Sequence, residues 1–127
     1  MADAFVGAKL QEAWKESNPH APEVGIGKPG STKIEQGGWI IWNKRTGELD
    51  VVRVAAGSRD GLASIVGSRP EDSEDHEVLA WFPTHPNKVS EGYAADPSPA
   101  DIAWQASEAN VPGIIETHEG RKLIPYA

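Results

Sequence analysis

The segment HEVLAWFPTHP, residues 76–86, contains an apolar run from Val78 to Pro83 that polar residues do not interrupt. A half-buried strand alternates, and an amphipathic helix repeats every three to four residues. An unbroken run this short therefore reads as a strand buried on both faces. A sheet containing such a strand has to be covered on two sides, which favours a layered α/β domain. With 127 residues, 39% of them hydrophobic, the chain supplies one core of that kind and is too short for a second.

The rest of the pattern fits around this strand. Phe5, Val6, Leu10, Ala13 and Trp14 recur at helical spacing among Lys and Glu, which predicts an amphipathic helix over 3–17, ended by Asn18-Pro19. HAPEVGIGKPGSTK reads as loop. It lacks the Gly-Lys-Ser/Thr order and the following helix that a phosphate-binding loop needs. GGWIIWN (37–43) and LDVVRVA (49–55) flank KRTGE and predict a β-hairpin. Ser58 to Ser68 is open between short helix and loop, and RPEDSEDHE reads as a solvated acidic loop. Ser98-Pro99-Ala100-Asp101 opens a second helix that runs to about Ala109: Ser98 caps, Pro99 takes the first turn and Asp101 faces the helix dipole. GIIET and RKLIPY around HEG form a second hairpin. The order α-β-β-(α)-β-α-β-β predicts a single compact α/β domain over 1–127, with a mixed β-sheet flanked by helices. Residues 1–32 form its N-terminal helix and loop, and 33–127 form its core.

Composition excludes several function classes. Nineteen acids against twelve bases, a formal charge of −7, disfavour a nucleic-acid partner, which calls for clustered Lys and Arg. No apolar run approaches the ~20 residues of a membrane span, and MADAFVGAKLQEAW lacks the basic end and uninterrupted apolar stretch of a secretory signal. The expectation is a soluble chain, cytoplasmic or delivered by a route that needs no signal peptide. Cysteine is absent, so a metal would have to rest on His, Asp, Glu and water. Neither a Gly-x-Ser-x-Gly elbow nor a Gly-x-Gly-x-x-Gly loop is present, which leaves metal or carboxylate chemistry.

Three polar features remain: Glu35 before the first hairpin, Thr84-His85-Pro86 after the apolar strand, and Ser98-x-x-Asp101 at the second helix. Singly, each has a structural explanation as surface acid, packed histidine or helix cap. In this order, over 33–127, they resemble the JAB/MPN (JAMM) metalloprotease superfamily, which is marked by a Glu, then His-Ser/Thr-His-Pro at a strand end, then Ser-x-x-Asp at a helix start. EQGGWI resembles the Glu segment, VLAWFPTHPN the His strand, DPSPADIAW the Ser/Asp helix and NVPGIIETHEG the strand pair that follows. The likeness is greatest to short bacterial JAB-like domains found in secreted toxins and effectors. It implies a cytidine-deaminase-like architecture and a zinc-dependent peptidase or isopeptidase acting on a peptide or a ubiquitin-like protein. Glu35 would be the base, His85 and Asp101 zinc ligands, and Ser98 the oxyanion donor.

The sequence departs from that pattern at Pro83, which stands where the first histidine of the pair belongs and offers a metal no donor atom. If a closed zinc site provides ~10–16 kcal/mol over four ligands, losing one removes about 3–4 kcal/mol, several hundredfold in affinity. His76, seven residues earlier on the same strand, would be ~23 Å away. His20 and His118 stay open as substitutes, with His118 expected to face solvent in its turn. The five tryptophans read as core or edge-of-core residues, with one or two of them available to line a peptide groove. Two readings follow: a hydrolase with an altered metal site, or a degenerate relative that binds a protein or peptide without cleaving it.

Overall fold

The computed structural model of the protein describes residues 4–25, 28–58, 62–91 and 104–124. Within them the chain forms helix α1 (Ala4–Glu16) and strands β1 (Gly37–Asn43), β2 (Leu49–Arg53), β3 (His76–His85), β4 (Gly113–Thr117) and β5 (Gly120–Ile124). The strands make one mixed sheet in the order β2-β1-β3-β4-β5. Both predicted hairpins are antiparallel, β3 pairs antiparallel with β1, and β3 and β4 run parallel.

β3 is therefore the middle strand, and its apolar run is buried on both faces as its pattern requires. Trp81 joins Trp39, Ile41 and Ile115 in one cluster, while Ala80 and Phe82 join Ile40 and Ile114 in the other. Val78 and Ala80 are two residues apart yet belong to opposite clusters, because Leu79 is an extra residue in the pairing. Ile40 faces Ala80, and the next residue, Ile41, faces Val78. Such a bulge reverses the inside-outside phase along the strand.

Helix α1 covers the second cluster with Val6, Leu10 and Ala13, the i, i+4, i+7 stripe of an amphipathic helix. It stops as the sequence predicts, with Asn18 left-handed at φ 58° just ahead of Pro19. The other face is covered by a 3₁₀ turn at Ala63–Ile65 and by Trp104 with a π-helical turn at Gln105–Ala109. Among the described residues one α-helix covers one face of the mixed sheet, and a 3₁₀ turn and a π-helical turn cover the other. Most of the predicted second helix, including Ser98 and Asp101, lies outside the described residues.

The turn after Trp104 is anchored through a buried amide. The Trp81 indole N–H donates to Gln105 Oε1 at 2.6 Å, and Gln105 Nε2 donates to the Ile124 carbonyl at 3.1 Å. The Trp104 ring meets Trp81 edge-on, with centroids 4.7 Å apart. Gly37 has to be glycine, since a side chain there would collide with the Phe82 carbonyl and with Leu62. The acidic loop is mostly exposed, as expected, although Asp72 caps the start of β3 by accepting from the Val78 N–H at 2.8 Å. No helix among the described residues is long and apolar enough to cross a membrane.

Burial sets a stability contrast. Phe82 is fully buried, and Phe82→Ala is expected to cost about 3–5 kcal/mol in denaturant unfolding. Leu123 is 69% exposed on the edge strand, and Leu123→Ala is expected to stay within about 0.5 kcal/mol.

Candidate functional site

The C-terminal end of β3 and the chain entering β1 lie side by side. The pairing of β1 with β3 ends at Gly37 opposite Pro83, and beyond it the Thr84 N–H donates to the Gln36 carbonyl at 2.8 Å. One step further along these two chains come Glu35, whose backbone bonds to Ser58 and Gly57, and His85, the last residue of β3. Their in-between neighbours show which way the two side chains face. Gln36 bonds to Arg53 and to the Glu16 carbonyl, and Thr84 bonds to Ser17, so both point to the α1 side. By alternation Glu35 and His85 share the opposite face, the one carrying Trp81, Trp39 and Trp104. Glu35 is buried and His85 half-buried.

Pro83 is also on this face, buried, two residues before His85. Its place in a central strand is unusual, because proline cannot donate to a ladder. The Trp81 N–H donates to Pro112 on the β4 side and that of Thr84 to the β1 side, so the missing donor of Pro83 faces β4. Pairing with β4 brackets the gap, with Trp81 opposite Gly113 and Thr84 opposite Glu116.

Beneath this end the sheet is tied to α1 by a buried relay. Thr84 Oγ1 accepts the Gln36 N–H at 2.9 Å and bonds to Ser17 Oγ, which donates to the Ala13 carbonyl at 3.0 Å. Since the Ser17 proton goes to Ala13, the hydroxyl of Thr84 donates to Ser17.

A buried ion pair that sequence reasoning missed closes the adjoining loops. The Lys33 ammonium and Glu91 carboxylate contact each other with both side chains essentially inaccessible. Glu91 also accepts the N–H groups of Val24 and Lys88, both at 2.9 Å. Burial opposes the charge on Glu91, but the Lys33 hydrogen bond, the two backbone donors and the Lys33 charge outweigh it and hold its pKa at about 2. No local pattern links residues 58 apart, so only the fold reveals the pair.

The other histidines are accounted for separately. His76 begins β3 at the far end of the strand. His118 was expected to face solvent but is half-buried: its Nε2 donates to the Pro86 carbonyl at 2.8 Å, and its ring meets Trp14 edge-on at 5.0 Å and His20 at 5.8 Å. Trp14 belongs to α1, so this cluster is on the α1 side and does not replace the missing ligand beside His85. Desolvation chiefly, with the nearby charges of Lys33 and Lys88, lowers the His118 pKa despite the bond to Pro86. A groove of about 610 Å³ lies on the same side, lined by Trp14, Lys15, Asn18, Pro19 and His20 among others.

Against known proteins, neither a scan of family models nor searches of curated proteins and of solved structures finds a match to this chain. Among the described residues no three His, Asp or Glu side chains gather into a metal-binding group. Glu35 and His85 supply one carboxylate and one imidazole, and Pro83 supplies nothing. These donors alone fall short of a zinc site.

Removing one partner of a buried pair leaves the other charge uncompensated, so Glu91→Gln is expected to lose about 3–5 kcal/mol of unfolding free energy at neutral pH. The pKa of Glu91 is lowered on folding, so its contribution is complete above the ordinary 4.5 and is lost as pH falls toward about 2. Denaturation series between pH 6 and 2 should show this acid limb shallower in Glu91→Gln than in the native protein.

Proposed function

We propose that the chain is a JAB/MPN-like domain of peptidase or isopeptidase type with an altered metal site. The observation that carries this reading is that the β1–β3 pairing brings the segments bearing Glu35 and His85 to one end of the sheet. A buried carboxylate beside an imidazole is suited to accept a proton from an attacking water. In this reading Glu35 is the base, His85 and Asp101 are metal ligands and Ser98 is the oxyanion donor. Zinc, when bound, would supply a water of lowered pKa and polarise the scissile carbonyl. The substrate would be a peptide or a ubiquitin-like protein, and the domain would serve as a bacterial toxin or effector.

Pro83 supports a second reading, in which the domain keeps the fold and a groove but binds a protein or peptide without cleaving it. The proline leaves the ligand set one imidazole short of the family pattern, and zinc affinity is correspondingly several hundredfold weaker by the estimate of about 3–4 kcal/mol per ligand.

Metal content separates the two. Protein purified without chelator should carry stoichiometric zinc and gain stability on zinc addition if the hydrolase reading holds. An empty protein at micromolar zinc supports the binding module. Pro83→His is expected to tighten zinc binding several hundredfold, and Pro83→Ala to leave it unchanged. Equal zinc affinity in native protein and Pro83→His would show that positions 83 and 85 do not serve a common metal, and the JAB/MPN reading would fail.

A further inference from the structure

We propose that His20 and His118 form a two-imidazole site for a divalent transition-metal ion, with copper(II) its tightest occupant, on the α1 side of the sheet. One nitrogen of the His118 ring is already committed. Nε2 donates to the Pro86 carbonyl at 2.8 Å, which fixes the tautomer and leaves Nδ1 unprotonated, as an acceptor. Metal-binding histidines are held in this way, with the second ring N–H given to a carbonyl or carboxylate that orients the imidazole. The Trp14 ring, edge-on at 5.0 Å, confines the His118 ring further. His20 supplies the second donor, its ring centroid 5.8 Å from that of His118 and its plane at 76° to it. An imidazole nitrogen sits about 2.0–2.1 Å from such an ion, so the ion is about 3.2 Å from the ring centre and two rings sharing it have centroids about 4.5–6.4 Å apart. The observed separation falls inside that span. His20 is exposed, so its ring turns about its side-chain bonds to aim a nitrogen while His118 stays in place.

The surroundings set which ion is held and how tightly. Burial, together with the charges of Lys33 and Lys88, keeps the His118 ring in the neutral form that ligates. The same two lysines oppose a cation, but Lys33 is balanced by Glu91 in the buried pair, which leaves Lys88 as the main opposing charge. On the hairpin that carries His118, Glu116 is bound to Arg121 and Glu119 to Lys122. The donor set is therefore two neutral nitrogens completed by water. Imidazole suits copper, nickel and zinc, whereas calcium and magnesium require oxygen, and copper(II) heads the divalent series. Two of the four ligands of a closed zinc site correspond to a dissociation constant of about 1–200 µM, and copper(II) is expected at the tight end of that range. The site is distinct from the one in the JAB/MPN reading, whose His85 is on the opposite face of the sheet.

Copper(II) chloride titrated into the full chain at neutral pH tests this without substrate. In nuclear magnetic resonance spectra, substoichiometric copper(II) is expected to broaden the ring signals of His20 and His118 and the Trp14 indole first, while those of His76, at the far end of β3, persist. In calorimetry, His20→Ala and His118→Gln are each expected to weaken the tightest copper(II) binding about a hundredfold, the loss of one ligand, and His85→Ala to leave it unchanged. Should His118→Gln fail to fold, His20→Ala decides alone, since its side chain is exposed and its loss leaves the core intact. Native affinity retained in His20→Ala, or first broadening at the chain's N-terminus, overturns the proposal. Binding that weakens in His85→Ala but not in His20→Ala also overturns it, and puts the ion at the site of the JAB/MPN reading instead.

Discussion

β3 is hydrogen-bonded along both edges and covered on both faces, and every other element takes its position from it. Its antiparallel partner β1 brings the first hairpin, its parallel partner β4 brings the second, and its two faces divide the core between α1 and the turns at Ala63–Ile65 and Gln105–Ala109. A central strand of ten residues with a bulge near its middle changes phase, so the side chains at its C-terminal end are set by the downstream half alone. That half places Trp81, Pro83 and His85 on one face and Phe82 and Thr84 on the other. Phe82 and Trp81 lock the alternation, because neither large ring can be moved to the opposite cluster without emptying a buried site.

The loops at this end have little regular structure, and polar contacts hold them instead. The Lys33–Glu91 pair draws together the segments at Val24, Lys33 and Lys88, and the Ser17–Thr84–Gln36 relay fastens α1 to the two central strands. Buried charges contribute little net stability compared with apolar residues of the same volume, but an unpaired one is costly. The pair therefore acts by penalising other loop arrangements more than by favouring this one. The relay works in the same way, since each hydroxyl has a single proton and a single arrangement satisfies all the donors.

Elements defined by local pattern were legible in the sequence. The stripe Val6, Leu10 and Ala13, the break at Asn18-Pro19, both hairpins and the doubly buried strand are all stated by residues within a few positions of one another. The solvent-facing expectation for His118 failed because a Thr-His-Glu-Gly turn is locally polar, while its burial comes from Trp14 and Pro86, 104 and 32 positions away. Leu79 gives no sign of being a bulge, because an all-apolar run carries no phase to interrupt. Of the candidate site, the approach of the segments that carry Glu35 and His85 comes from the β1–β3 register, which sequence order suggests but does not fix. Ser98 and Asp101, whose site roles come from the JAB/MPN resemblance, fall outside the described residues.

Pro83 sits at the junction of these arguments. A residue with an N–H at this position would complete the ladder to β4, so for stability alone the proline is a cost. Pairing resumes at Thr84 and His85, which confines the gap to Phe82 and Pro83 instead of ending the strand. The gap is tolerated because the β1 side holds the strand through the Thr84–Gln36 contacts, and because Gly37 lets Leu62 pack closely opposite the proline. Proline also fixes φ near −65°, which narrows the backbone leading into His85 and so restricts where its imidazole can stand relative to Glu35. Pro83 thus loses a ladder bond and offers no donor atom, and what it adds is a stiffer backbone leading into His85.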